Sequence, residues 1–230
     1  MNTSSAPDLP DTACHPSGDS PADDAPIVVL GIGNVLWADE GFGVRCVEAL
    51  QQHWDFAPHV ELVDGGTQGL YLIQHVQSAR KLLILDAVDY GLAPGTLHQV
   101  ENEEVPRFLG AKKMSLHQTG FQEVLMLAQL TERYPEQVLL IGCQPEELED
   151  YGGSLRPCVR QAVDDAVALA VDRLRAWGAQ PRPRAQAPSA EEAVTVPTLS
   201  IEAYEAGRPA AEAACRMGDE RFMPPRGTAA

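Results

Sequence analysis

Carboxylates and one imidazole, set among glycines, are the side chains of this sequence that could do chemistry. Asp39 and Glu40 follow the run Gly31-Ile-Gly-Asn34; Asp86 and Asp89 close the apolar run that begins at Lys81; His117 ends the segment Lys113-Met-Ser-Leu-His117. Carboxylate oxygens together with an imidazole nitrogen form an N/O donor set suited to a divalent transition metal. Each residue also has a plainer role. An acid such as Glu40 in the first turn of a helix is favoured by the helix dipole alone. Asp86 at a strand end can simply turn the chain, and a histidine before a helix is commonly solvated or structural. Residue types and spacing therefore stop at a candidate metal site on an α/β domain.

Other chemistries find less support. Gly31-Ile-Gly33 after an apolar run invites a dinucleotide loop, but residue 36 is Leu instead of the third glycine, and Glu40 would oppose a pyrophosphate. Cys143 follows a strand-like run without a neighbouring base and reads as a packing cysteine. Asp86 and Asp89 do not by their spacing make an aspartic dyad. The sequence has no Gly-x-Ser-x-Gly elbow, and the other histidines form no His-Glu-x-x-His motif.

For the acids and His117 to meet, the elements that carry them must run side by side. Residues 27–31 form a short β-branched apolar run with a glycine exit, a buried strand. The loop 32–39 leads to a helix over about 40–53, with Val44, Val47, Leu50 and Trp54 at helical spacing. A strand over 60–64 ends in Gly65-Gly66, a helix covers 67–79, and 81–85 is a central strand. Residues 96–101 form another strand. A helix over about 119–133 carries Phe121, Val124, Leu125 and Ala128 on one face, and 137–141 is the last strand. The closing helix, 155–177, has its inward stripe at Leu155, Val159, Val163, Ala166, Ala170, Leu174 and Trp177. Strands alternating with helices are βαβ units, so the expected fold is α/β: a three-layer α/β/α sandwich around a mostly parallel, twisted five-stranded sheet. Ligands of such sheets bind beyond the carboxyl ends of the strands, which selects the segments 31–40, 64–67 and 86–91.

Composition narrows the class. Acids outnumber bases 33 to 17 in 230 residues, a net charge of -16, which disfavours nucleic acid and anionic membrane surfaces. Five scattered cysteines without a Cys-x-x-Cys pair imply neither a disulfide framework nor a zinc knuckle. With no secretory signal and no apolar run near the roughly 20 residues of a membrane span, the expectation is a reduced, soluble, cytoplasmic protein. Residues 1–26 read as a disordered acidic segment, 27–178 as the working domain, and 179–230 as a Pro/Ala-rich tail or docking segment. In that tail 181–188 reads as a linker and 194–204 as a short ordered piece. Truncation after Gly178 is expected to leave the core folded.

The stretch 27–178 resembles the hydrogenase maturation protease family, the processing endopeptidases of [NiFe] hydrogenases. The resemblance rests on segments in order: Leu30-Gly-Ile-Gly-Asn-Val-Leu-Trp-Ala-Asp-Glu-Gly-Phe-Gly-Val-Arg45, Asp64-Gly-Gly-Thr-Gln-Gly69, Leu85-Asp-Ala-Val-Asp-Tyr-Gly91, Ser115-Leu-His117, Gly142-Cys-Gln-Pro145 and Tyr151-Gly152. It implies that Glu40, Asp86 and His117 are metal ligands, and that the nickel they meet is carried by the substrate. That substrate is the large-subunit precursor of a [NiFe] hydrogenase, cut once near its C-terminus. It further implies that Asp64, Gly65 and Thr67 shape the rim where the precursor lies, with Asp39 or Asp89 as candidates for a general base and a monomer as the working unit. The alternative is a non-enzymatic nickel-binding chaperone for hydrogenase assembly, which the same ligand set would suit.

Overall fold

A computed structural model describes the backbone of residues 25–109 and 116–208, and side chains for 25–106 and 120–208. Of the segment 1–26 expected to be disordered, 1–24 lie outside the described residues, as does the tail beyond 208; Ala25 is buried and Pro26 O accepts from the Arg80 N–H at 2.9 Å, so the domain begins two residues earlier than expected.

Strand β1 (Ile27–Ile32) enters a 3-10 turn (Ala38–Gly41) and helix α1 (Phe42–His53). A two-residue strand β2 (Trp54–Asp55) precedes β3 (Val60–Gly66), a 3-10 turn (Gly69–Leu72) and α2 (Ile73–Ser78). Then come β4 (Lys81–Ala87), β5 (Leu97–Glu101), α3 (Glu104–Leu109), α4 (Leu116–Leu130), β6 (Gln137–Cys143) and α5 (Pro157–Ala176). A two-residue strand β7 (Arg182–Pro183), a 3-10 turn (Pro197–Leu199) and α6 (Ile201–Gly207) follow.

The main sheet runs β3-β1-β4-β6-β5. Its pairings are parallel except β5 with β6, which is antiparallel, as suits an edge strand. The inner strands are apolar on both faces because both faces are covered. Ile27, Val29, Leu83, Leu85, Leu139 and Ile141 pack with the α1 and α5 side chains. Val28, Leu30, Leu82, Ile84, Val138 and Leu140 pack with Val76 of α2, Val105 of α3 and the Phe121–Ala128 face of α4. The expected α5 stripe is buried throughout, from Leu155 to Trp177.

Several elements differ from the sequence expectation: the helix expected over 67–79 is a 3-10 turn followed by the shorter α2, α4 starts at Leu116 ahead of the expected 119, and α3 was not foreseen. The turn that holds Glu40 is 3-10 and precedes α1; it is entered through Ala38 at φ 43. Residues read as linker include β7, which pairs antiparallel with β2 through Trp54–Pro183 and Asp55–Arg182. Proline is tolerated there because a two-residue edge pair needs few N–H donors. The chain from Ala179, fully buried, to Arg208 lies on the domain.

Candidate functional site

Chain order reverses between β1 and β4, since β3 lies on one side of β1 and β4 on the other. The carboxyl ends of those two strands are the topological switch point, where open α/β sheets bind ligands. Glu40 and Asp86 belong to the segments that leave these ends.

Glycines set how near they come. The turn Ala38–Gly41 touches β4. A Cβ on Gly43, in the first turn of α1, would collide with the carbonyl oxygens of Leu85 and Ile32, so the helix starts against both strand ends with no room for a side chain. Gly33 has φ 131, and a Cβ there would overlap the Glu40 carbonyl. Asp86 continues the Leu82, Ile84 row and is 2% exposed, so its carboxylate leaves the sheet on the face covered by α4. His117 falls in the first turn of α4 and not in the loop before it; its side chain lies outside the described residues. The start of α4 comes to the same end of the sheet, where a Cβ on Gly120 would meet Gly69 Cα at 3.5 Å. Among the described residues no three His, Cys, Asp or Glu side chains form a metal-holding group.

Asp64, Gly65 and Thr67, the residues expected at a substrate rim, lie at and just beyond the carboxyl end of edge strand β3. Asp64 Oδ1 accepts from the Gly66 N–H at 3.1 Å, and its carbonyl accepts from Gln68 Nε2 at 3.2 Å. Burial pushes the Asp64 carboxyl up, while the Thr195 hydroxyl, the Gly66 N–H and the Arg45 charge pull it down. Thr195 Oγ1 is buried without a hydrogen bond of normal geometry, so its pull is that of a nearby dipole. Gly65 is buried, with space for a Cβ closed to 3.1 Å by Gly31 O, and Thr67 is exposed.

Asp39 and Asp89 are held by the backbone. Asp39 is fully buried; its Oδ2 accepts from the Glu146 and Glu147 N–H groups, each at 2.9 Å, and its Oδ1 from the Arg156 N–H at 2.7 Å. Three charge-assisted bonds tie the loop after β6 to the Glu40 turn, the geometry of an anchor more than of a base. Exposed Asp89 closes a turn: its Oδ1 accepts from the Gly91 N–H at 2.9 Å and from Gln144 Nε2 at 3.1 Å.

Gln144 is a site-building residue that the sequence reading passed over. Its Oε1 accepts from the Tyr90 and Leu92 N–H groups at 2.7 and 3.1 Å, so it fixes the loop after Asp86. Its place after a buried strand, in the segment Gly142-Cys-Gln-Pro145, was the signal, but no role followed from it. Tyr90 is a second such residue. Its phenol rests on Gly142, whose register partners are Asp86 in β4 and His98 in β5. Its ring meets His98 edge-on at 5.1 Å. Burial, then the Asp86 charge, push the Tyr90 hydroxyl well up, so it stays protonated. Cys143 is pushed up to about 12, first by burial and then by Asp39 and Cys158. It is a neutral packing thiol and no nucleophile.

An acid-bearing turn and a buried aspartate at the switch point of a five-stranded α/β sheet define a class of domain already seen in solved proteins. The hydrogenase maturating endopeptidase HybD from Escherichia coli superposes with a TM-score of 0.66 at 38% identity, covering 69% of this chain and 98% of that one. The model of the HycI hydrogenase maturation protease family matches residues 44–173, which include Asp64, Asp86 and His117. Among sequence relatives, the hydrogenase expression/formation protein HoxM of Cupriavidus necator is 70% identical over 198 residues, 86% of this chain and 98% of that one. HupD of Thiocapsa roseopersicina is 56% identical over 200 residues, 87% of this chain and 90% of that one. The chain belongs to the hydrogenase maturation protease family. A 198-residue stretch of a 230-residue chain necessarily contains residues 33–198, so the likeness to HoxM takes in Glu40 and reaches past the domain into the C-terminal segment. Among the described residues no helix is long and apolar enough to cross a membrane.

Proposed function

We propose that this chain removes the C-terminal extension of a nickel-loaded [NiFe]-hydrogenase large-subunit precursor, acting in the cytoplasm as a monomer, and that Glu40, Asp86 and His117 bind the nickel the precursor carries. The observation that supports this reading most is the convergence of the Glu40 turn, the end of β4 at Asp86 and the first turn of α4 on one end of the sheet, in a chain of this family. Two carboxylates and an imidazole suit a divalent transition ion. Because the ion arrives with the substrate, the chain engages the precursor only after nickel is in place, and weak affinity for free nickel suffices. Asp64, Gly65 and Thr67 form the rim over which the precursor chain lies.

The test is a processing assay with purified chain and large-subunit precursor, loaded with nickel or empty. A single C-terminal cut that requires nickel is the expected result. Glu40→Gln and His117→Ala should abolish the cut while leaving the thermal transition in place; full processing by either variant sinks the ligand assignment. No cut of a precursor shown to be loaded and competent, with tight binding of free nickel, would favour a chaperone.

A further inference from the structure

The C-terminal segment crosses α1 and then reaches the loop before α5, and its contacts at both places are specific. The side-chain amide of Gln51 clamps it, donating to Glu192 O and accepting from the Val194 N–H, both at 2.7 Å. One turn nearer the site, Arg45 donates to Leu199 O at 2.6 Å, and Glu48 Oε1 accepts from the Ile201 N–H at 3.0 Å. Arg45 and Glu48 also pair with each other at 2.8 Å, with side chains 4% and 7% exposed. Tyr204 places its ring 5.7 Å from the Arg45 guanidinium and donates its hydroxyl to Gly153 O at 3.1 Å. Glu205 accepts from Ser154 Oγ at 2.6 Å and pairs with Arg160.

Neither place is remote from Glu40. Helix α1 begins directly after the Glu40 turn. The loop before α5 grips that turn from the other side: the Gly152 N–H donates to Leu36 O at 2.8 Å, Tyr151 packs on Trp37 at 5.2 Å, and the Arg156 N–H bonds Asp39. We propose that residues 192–205 are a strap that positions the Glu40 turn, holding α1 and the 150–156 loop at a fixed separation, with Tyr204 and Glu205 as its positioning residues. The strap lies beyond the part of the chain that the family model matches. Its consequence for precursor engagement rests on the function proposed above; its mechanical role does not.

The test uses the full chain with Tyr204→Phe and Glu205→Gln combined. These changes remove the hydroxyl bond to Gly153 and the carboxylate at Ser154 and Arg160 but leave the buried Arg45–Glu48 pair in place. Hydrogen exchange is read at the amides of Leu36, Trp37, Asp39 and Glu40, all hydrogen-bonded in the parent and none touching the strap. Loss of the Tyr204 hydroxyl bond and of the charge in both Glu205 contacts should speed their exchange about tenfold, with the global unfolding midpoint little changed. The single change Tyr204→Phe, which keeps the Glu205 carboxylate on Ser154 and Arg160, should restore part of the protection. Processing of nickel-loaded precursor should lose about as much in kcat/KM as the turn loses in protection, mainly through KM. Unchanged exchange over 36–40, with the amides of 200–206 exchanging freely, would overturn the strap. If the parent chain cuts no precursor, the function proposed above fails, and the exchange result still decides the strap.

Discussion

Glu40 and Asp39 are neighbours in sequence with different surroundings: Asp39 is fully buried with both oxygens on backbone N–H groups, whereas Glu40 keeps part of its side chain in solvent. Asp39→Asn would turn an amide N–H₂ or a weaker acceptor toward three N–H donors. It should cost about 2–3 kcal/mol in denaturant unfolding and also reduce processing, because the loop it ties supports the Glu40 turn. A variant as stable as the parent would mean that the loop is held by other contacts. Asp64 offers a test through pH. Its carboxyl is raised in the folded chain, so its ionisation opposes folding. That penalty is absent below the ordinary carboxylate range, where both states hold the proton, and is fully felt once pH passes the raised value. Asp64→Asn should therefore gain stability relative to the parent between about pH 4 and pH 7. Urea unfolding at both ends of that window checks it, and a stability difference independent of pH contradicts the sign.

Elements place these residues through contacts that leave no slack. Gly43 lets α1 start against the ends of β1 and β4, and a Cβ there would overlap two backbone oxygens, which cannot rotate away. Gly43→Ala should cost about 2–3 kcal/mol and displace the Glu40 turn, so processing should fall more than stability alone explains. Calorimetry alongside the processing assay separates the two. The strands that make this end of the sheet, expected at 27–31, 81–85 and 137–141, were legible in sequence because 27–30, 82–85 and 138–141 are unbroken apolar runs, the mark of strands covered on both faces. Helix α5 was legible from its stripe. Asp39 was misleading: a buried carboxylate satisfied by backbone N–H groups looks in sequence like one that faces substrate. Gln144 was silent, since its partners lie 52 and 54 residues away. Arg45, Glu48 and Gln51, three apart on α1, lie off the apolar stripe that marked this helix in sequence. The structure covers them with residues 192–201, most of which fall in the stretch 194–204 expected to hold a short ordered piece.

At the scale of the molecule, that covered polar stripe decides how much of the chain is one folding unit. Arg45 and Glu48 are buried where residues 199–204 reach them, and each has a strap backbone group as a partner. The strap's own apolar contribution is small: Val196 is 60% exposed and none of the α6 residues is buried. Polar contacts, not a second core, attach it. Such attachment adds stability in proportion to the charge-assisted bonds it makes and has little independent cooperativity, because backbone ordering costs about 1–2 kcal/mol per residue against few buried side chains. A chain ending at Gly178 should accordingly still unfold in a single transition, as its sheet and five core helices predict, but at a lower denaturant midpoint. The loss of the Arg45 and Glu48 bonds to the strap alone corresponds to about 3 kcal/mol. A midpoint equal to that of the full chain would make the segment a passive appendage, whereas loss of the single transition would place it inside the core's cooperative unit. The intermediate result, a folded but weakened core, is the one that polar attachment across α1 requires.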